Sequence, residues 1–229
     1  MSESAVSVKI EGLLFDMDGV LISSVASANR CWRQWAAIYG VPNPEKAQIK
    51  HGTRAIEIMK TFKPDITAEQ LVEGLRIIED LEIADVEDLK VLAGVPELLQ
   101  SIPVERWSIV TSATRRLLMG RLQAAHLPIP DRVIAGDDVV NGKPHPEPYM
   151  TGARLLGYRS EDCIVVEDAL TGVGSGVAAK SRVLGVLGTH AAADLYAAGA
   201  EWVVESLAGV RVTSEGAGLQ VSFTPVARD

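Results

Sequence analysis

Short apolar segments that end abruptly in polar residues recur along the chain. Five of them are predicted as buried strands of a parallel sheet, and they span residues 10–15, 107–110, 133–135, 163–166 and 183–187. Segments with apolar residues at helical spacing lie between them, at 115–125 and 147–156. This alternation predicts an α/β fold, a doubly wound parallel sheet with helices on both faces.

The segment between the first and second predicted strands lacks a strand pattern. Its apolar spacing predicts helices over 26–39, 53–62 and 67–81, and Thr67 followed by Gln70 predicts a capping box. We expect residues 23–92 to form an inserted helical cap domain, with 1–22 and 93–229 forming the core domain. Residues 210–213 and 219–223 flank a turn rich in glycine and predict a C-terminal β-hairpin.

Composition narrows the possible partners. The 229 residues can bury one sizeable core plus a small accessory domain, and the formal net charge of −8 disfavours nucleic acid and anionic membrane surfaces. No stretch approaches the roughly 20 apolar residues of a membrane helix, and no basic N-terminal signal precedes an apolar run. We expect a cytoplasmic monomer whose two cysteines, Cys31 and Cys163, stay reduced.

Polar side chains fall where the predicted strands end. In open α/β sheets ligands bind outside the carboxyl ends of the strands, so these side chains are expected to share one crevice. They are Asp16, Asp18, Thr111, Ser112, Glu167 and Asp168.

Asp16 and Asp18 follow the first strand directly, with Gly19 next to them. One carboxylate can attack phosphorus and form an acyl phosphate, while the other protonates the leaving oxygen and then deprotonates water. The alternative is a strand end whose two acids cap the next helix. We favour the catalytic interpretation, with Asp16 as nucleophile.

Glu167 and Asp168 end another strand, and beside Asp16 they would repel one another without a cation between them. Mg²⁺ prefers oxygen ligands and takes few carboxylates together with substrate phosphate. Alone, the two acids are more typical of a helix N-cap. Together with Asp16, they predict a magnesium site that includes the backbone carbonyl near Asp18.

Lys143 lies in a segment with three alternating prolines, residues 142–148. The prolines stiffen the loop, so the ammonium can neutralise both Asp16 and phosphoryl oxygens. Thr111 and Ser112 precede a helix and can hold phosphate, although ordinary helix capping explains them equally well.

The inserted segment carries one further candidate for substrate contact. His51, Gly52, Thr53 and Arg54 form a loop between helices that could bind a polyhydroxylated phosphate ester. Taken alone, the loop is more typical of a solvated connection. Trp32, Trp35 and Tyr39 share one helix face and are expected in the core of the insertion.

Together these segments resemble the haloacid dehalogenase superfamily of phosphohydrolases, whose four motifs appear in order. The resemblance implies a Rossmann-like core, a helical cap, Mg²⁺ and a small phosphate-ester substrate. It implies Asp16 as nucleophile, Asp18 as acid and base, and Thr111, Ser112 and Lys143 as phosphate ligands. Asp16, the Asp18 carbonyl, Asp168 and Glu167 would bind the metal, and the loop from His51 to Arg54 would face substrate.

Finer features resemble one subgroup. Residues 107–115, 142–149 and 51–54 are similar to glycerol-phosphate and 2-deoxyglucose-6-phosphate phosphatases, and Ser23 stands where many relatives have Asp. The expected activity is hydrolysis of a sugar or polyol monophosphate. The main alternative is a phosphosugar mutase such as β-phosphoglucomutase, in which a sugar hydroxyl replaces water. Dehalogenation is disfavoured, since it needs neither Asp18 nor the second acidic pair.

Overall fold

A computed structural model describes residues 4–216 and 218–228. The strands are β1 (Val6–Ile10), β2 (Gly12–Phe15), β3 (Ile22–Ser23), β4 (Lys90–Val91), β5 (Trp107–Val110), β6 (Val133–Ile134), β7 (Cys163–Glu167), β8 (Arg182–Val186), β9 (Trp202–Val204), β10 (Arg211–Glu215) and β11 (Gly218–Phe223). The α-helices are α1 (Val25–Ile38), α2 (Ala55–Phe62), α3 (Ala68–Ala84), α4 (Val95–Ser101), α5 (Arg115–Ala124), α6 (Glu147–Leu156), α7 (Leu170–Ala178) and α8 (Ala192–Ala197).

Six strands form the central parallel sheet, in the order β6-β5-β2-β7-β8-β9. Both faces of β2 are apolar, since Leu13 and Phe15 join one buried cluster and Leu14 joins another on the opposite face. The chain continues from β2 to β5 and β6 on one side and later to β7, β8 and β9 on the other. The predicted parallel α/β fold is confirmed, and its topological switch point lies at the end of β2.

The N-terminal strand differs from its prediction. Residues 10–15 were expected to form one strand, but β1 and β2 belong to different sheets. Between them, the Glu11 amide donates to the Asp162 carbonyl at 2.8 Å, which ties the crossing point to the turn just before β7. β1 pairs with β11, so the predicted C-terminal hairpin of β10 and β11 gains a third strand.

Other boundaries shift only slightly. β7 includes Glu167, and β8 begins one residue before the predicted strand. β9 was not predicted, because its three residues are too few to show a pattern between Glu201 and Glu205. No helix in the described ranges has the length and apolar character needed to cross a bilayer.

Residues 24–89, here called the helical insertion, hold α1, α2 and α3. These helices pack around their own buried cluster, which includes Trp35, Met59 and Ile78. The predicted capping box of Thr67 and Gln70 is present at the start of α3. The short antiparallel pair of β3 and β4 joins the two ends of the insertion to the core.

Candidate active site at the carboxyl ends of the strands

Asp16 occupies the tip of the central strand β2, and only 4% of it is exposed. Its amide donates to the Val166 carbonyl at 3.0 Å, so the sheet pairing extends to this residue. A tight turn follows, in which the Leu21 and Ile22 amides both donate to the Met17 carbonyl. The nucleophile candidate therefore sits on rigid backbone at the switch point of the sheet.

Lys143 reaches this point from the loop before α6. Its buried ammonium donates to Asp16 Oδ1 and Glu167 Oε1, each at 2.7 Å, and to the Val110 carbonyl at 3.0 Å. Burial acts to lower the pKa of Lys143, but the attraction of both carboxylates outweighs burial and holds this pKa above its usual value. The lysine is thus a fixed positive charge on the candidate nucleophile.

Three buried acids meet at the ends of β2 and β7. One oxygen each of Asp16, Glu167 and Asp168 lies within 4.8 Å of the others. Burial, with repulsion from Glu167 and Asp18, raises the pKa of Asp16 to about 7 against the opposing effect of Lys143. Burial and the same crowding raise the pKa of Asp168. One ammonium does not offset this concentration of negative charge.

The donor set fits a divalent cation. Asp168 Oδ1 is buried without a hydrogen-bond partner among the described residues, which leaves a carboxylate oxygen available as a ligand. Glu167 differs, because Lys143 and Tyr149 donate to one of its oxygens and the amides of Asp168 and Ala169 donate to the other. Asp16 and Asp168 are therefore better placed as direct ligands than Glu167.

Two glycines make room for these acids. A Cβ on Gly19 would lie 2.0 Å from Asp168 Oδ2, and the residue has a φ of 86°. A Cβ on Gly172, at the start of α7, would lie 1.7 Å from Glu167 Oε1. Side chains are excluded at both positions, so the cluster can close around its charges.

Asp18 stands apart from the three crowded acids. Its Oδ1 accepts hydrogen bonds from Arg121 Nη1 at 2.7 Å and from Ser24 Oγ at 2.5 Å. About 24% of its side chain stays exposed. Asp16 and Asp18 line the same cavity, which has a volume of about 80 Å³. Two carboxylates with different surroundings facing one cavity suit the separate roles of nucleophile and proton carrier.

Thr111 and Ser112 also line this cavity, at the end of β5. Thr111 Oγ1 accepts from the Ala113 amide at 3.1 Å, while Ser112 Oγ donates to the Gly52 carbonyl at 2.7 Å. The structure therefore brings both hydroxyls to the cavity, with Ser112 bound to the loop of the helical insertion.

The loop predicted to contact substrate divides into two parts. His51, Gly52 and Thr53 line the cavity, and burial lowers the pKa of His51. Arg54 does not line it. Its guanidinium is bound to Glu57 at 2.7 Å and donates to backbone carbonyls of the core loop. In this arrangement the Arg54 side chain ties the insertion to the core, and its contact with substrate stays a prediction.

The cavity wall includes charged residues that the motif pattern did not single out. Glu79 and Glu82 come from α3 of the insertion and Arg121 from α5 of the core, and all three are buried. Trp32 lies in the same wall, although it also belongs to the predicted core of the insertion. The signal for the three charged residues was available, since each lies on the apolar stripe of a helix.

Comparison with known proteins relates this geometry to one family. Residues 13–186 match the family model described as haloacid dehalogenase-like hydrolase. Hexitol phosphatase A of Escherichia coli is 34% identical over 184 residues, covering 78% of this chain and 84% of that protein. Glycerol-1-phosphate phosphohydrolase 2 of Saccharomyces cerevisiae is 29% identical over 222 residues, covering 93% of this chain and 88% of that protein.

Solved structures agree on the fold. A hydrolase from Pseudomonas syringae superposes with a TM-score of 0.78 at 25% identity, covering 86% of this chain and 94% of that one. A β-phosphoglucomutase from Clostridium difficile gives a TM-score of 0.72 at 22% identity, covering 87% and 92%. Hydrolases and mutases share this architecture, so chemistry must be argued from the site.

Proposed function

We propose that this chain, which belongs to the haloacid dehalogenase-like hydrolase family, hydrolyses the phosphate monoester of a small sugar or polyol through a phosphoaspartate on Asp16. The observation that carries the proposal is the placement of Asp16, bonded to Lys143 and facing the cavity that Asp18 also lines. The named activities of the hexitol and glycerol-1-phosphate enzymes support the substrate class.

The first chemical step forms the covalent intermediate. A carboxylate oxygen of Asp16 attacks phosphorus, the bond from phosphorus to the ester oxygen breaks, and Asp18 gives its proton to the departing alcohol. Lys143 offsets negative charge that would otherwise oppose the approach of the two anions. Thr111 and Ser112, at the end of β5, hold the phosphoryl oxygens, Ser112 by exchanging its bond to Gly52.

The second step releases phosphate. Asp18 removes a proton from a water molecule, the water attacks phosphorus, and the acyl phosphate bond breaks to restore the Asp16 carboxylate. Arg121 and Ser24 hold Asp18 by hydrogen bonds, so the same carboxyl can act as acid in one step and base in the next.

Asp16 and Asp168, with the backbone carbonyl of Asp18, would hold Mg²⁺. The ion would supply the positive charge that lets a phosphate dianion approach the Asp16 carboxylate. Support comes from the crowding of Asp16, Glu167 and Asp168 and from the unpartnered oxygen of Asp168. Glu167 would act by fixing Lys143 and the backbone around Asp168.

The helical insertion corresponds to the predicted cap domain of residues 23–92, with core segments 1–22 and 93–229. Its separate apolar cluster supports a unit that moves as one body, with hinges near residues 21–24 and 92–96. Bonds from Ser112 to Gly52 and from Thr171 to His51 hold it against the core in this structure. We expect the protein to act as a cytoplasmic monomer, which size-exclusion chromatography with light scattering would test for the oligomeric state.

A mutase remains the second candidate because β-phosphoglucomutase shares the fold. A mutase acting through a sugar bisphosphate must bind a second phosphate in this cavity. The cavity wall carries the buried acids Glu79 and Glu82, which favours the phosphatase. Incubation with hexose phosphates separates the two, since a phosphatase releases phosphate and a mutase yields an isomeric hexose phosphate.

The proposal is tested with a panel of phosphorylated sugars, polyols and nucleotides at fixed Mg²⁺. We expect phosphate release from sugar or polyol monophosphates, its loss in Asp16→Asn, and its loss in EDTA with recovery on adding Mg²⁺. Asp16→Asn has nearly the same shape as the wild type, so circular dichroism serves as the control for folding. Substantial turnover by Asp16→Asn would overturn the assignment of the nucleophile.

A further inference from the structure

Arg121 is a buried arginine that forms ion pairs with two carboxylates but directs a hydrogen bond to only one of them among the described residues. Only 6% of the residue is exposed, and Nη1 donates to Asp18 at 2.7 Å. Nη2 is buried without a hydrogen-bond partner among the described residues, although it lies 3.3 Å from Glu82 Oε2. Both side chains line the cavity that holds Asp16. An unfilled donor and an acidic acceptor thus lie side by side in the wall of the proposed active site.

A buried donor without a hydrogen-bond partner is destabilising, so such a group in a cavity wall indicates a missing acceptor. A hydroxyl group can bond to both side chains at once, because its oxygen can accept from Arg121 Nη2 while its proton is donated to Glu82. A carboxylate or a second phosphate can bond only to Arg121, since it can accept from the guanidinium but has no proton for Glu82. The pair therefore matches the chemistry of an alcohol.

Charge in the same wall works against a second anion. The guanidinium of Arg121 is already flanked by Asp18 and Glu82. Glu79 adds a further carboxylate, held by Thr114 and by Arg116 at 3.1 Å. The other cation of the lining, Lys50, is exposed at the cavity edge. A second anionic group placed next to Arg121 would meet more negative than positive charge.

We propose that Glu82 and Arg121 bind a hydroxyl group of the substrate and select a neutral polyol or sugar monophosphate over analogues that lack this hydroxyl or carry a second anion. The inference rests on the proposed phosphatase function and assigns two specificity residues to it. Glu82 belongs to the helical insertion and Arg121 to the core, so the hydroxyl would be bound where these two parts of the molecule meet.

The test compares kcat/KM for three phosphate esters of similar size. Glycerol 1-phosphate carries two hydroxyls, n-propyl phosphate carries none, and 3-phosphoglycerate replaces the terminal CH₂OH with a carboxylate. At pH 8, above the pKa of about 7 that burial gives Glu82, the wild type should prefer glycerol 1-phosphate to n-propyl phosphate by about 100-fold. Glu82→Ala should narrow this ratio about tenfold or more, mainly through KM for glycerol 1-phosphate.

Glu82→Gln keeps the shape and removes the charge. We expect it to raise the relative kcat/KM for 3-phosphoglycerate about tenfold, because the repulsion of the second carboxylate is lost. A ratio between substrates does not depend on the fraction of folded enzyme, so partial unfolding cannot imitate either effect. Glu73→Gln, at an exposed position of the same helix, is the matched control and should leave all ratios unchanged.

The outcomes separate this inference from the proposed function. Phosphate release from all three esters at similar kcat/KM, or an unchanged ratio in Glu82→Ala, would overturn the hydroxyl assignment while the phosphatase stands. Absence of Mg²⁺-dependent release from these esters and from p-nitrophenyl phosphate would overturn the phosphatase itself, and the inference with it.

Discussion

The ammonium group of Lys143 donates a hydrogen bond to the carboxylate of Asp16 across a separation of 127 residues in sequence. The same ammonium is bound to Glu167, so one buried cation joins the central strand β2 to its neighbour β7. This contact links stability to chemistry, because the groups that close the sheet edge are also those proposed to act on phosphate.

Replacing Lys143 tests that link. Lys143→Met should lower kcat/KM by at least about 100-fold, because a fixed positive charge next to Asp16 is lost. It should also lower the free energy of unfolding by about 3–5 kcal/mol, since the buried carboxylates lose their partner. Urea denaturation in EDTA and steady-state kinetics with Mg²⁺ check both effects. Wild-type values in both measurements would show that the contact has neither role.

The lack of a side chain at Gly172 gives a second prediction. Gly172→Ala places a methyl group where Glu167 lies, so we expect a loss of stability of about 1–3 kcal/mol or more and a matching loss of activity. Gly174→Ala on the same helix is the control, because its Cβ would have Pro144 Cβ as its nearest neighbour at 3.6 Å. That variant should be neutral or stabilised by up to about 1 kcal/mol. Equal effects in the two variants would contradict the packing argument.

Most of the core could be predicted from the sequence. The strand at 107–110 and the helix at 147–156 have the predicted bounds, because mostly apolar runs and helical spacing are strong local signals. The break near Glu11 escaped prediction, since the residues on both sides are apolar and the change of sheet depends on pairing with β11. Such pairing joins opposite ends of the chain and leaves no local pattern.

The candidate site was likewise predictable in some parts and not in others. Asp16, Asp18, Lys143 and Asp168 were singled out by the sequence because each sits at a strand end or in a proline-framed loop. The pairing of Arg121 with Glu82 was not, since it depends on how α3 meets α5 across two parts of the molecule. A charged residue on the apolar stripe of a helix indicates a buried interaction, but it does not show which residue is the partner. The direction of the Arg54 side chain was not predictable either, because loop sequence does not fix it.

Metal binding should be visible in stability as well as in activity. Mg²⁺ placed between Asp16 and Asp168 would relieve their repulsion, so adding it to chelator-treated protein should raise Tm. Asp168→Asn should raise Tm without metal and lose most of the gain on adding Mg²⁺, since one crowding charge is removed. The comparison is made by thermal unfolding of both proteins with and without about 10 mM MgCl₂, a concentration chosen to saturate the metal site. An equal Mg²⁺ effect in both proteins would place the ion elsewhere.

Glu82 predicts a pH dependence of stability. Burial raises its pKa from 4.5 to about 7, with repulsion from Asp18 and Glu79 and an opposing effect of Arg121. Because the folded protein holds this proton more tightly, the stabilisation is fully present below about pH 4.5 and is lost as pH rises through 7. The free energy of unfolding of wild type relative to Glu82→Gln should fall by about 2.5 kcal/mol between pH 5 and 8. A pH-independent difference would contradict the raised pKa.

The proposed mechanism depends most directly on a covalent bond between Asp16 and phosphorus. Rapid mixing with substrate and Mg²⁺, acid quench and borohydride reduction should convert a phosphorylated aspartate into homoserine, which peptide mass spectrometry can locate. We predict the modification at Asp16 in the wild type and its absence in Asp16→Asn. Modification of another residue instead, or no modified residue at any quench time during active turnover, would contradict the central claim.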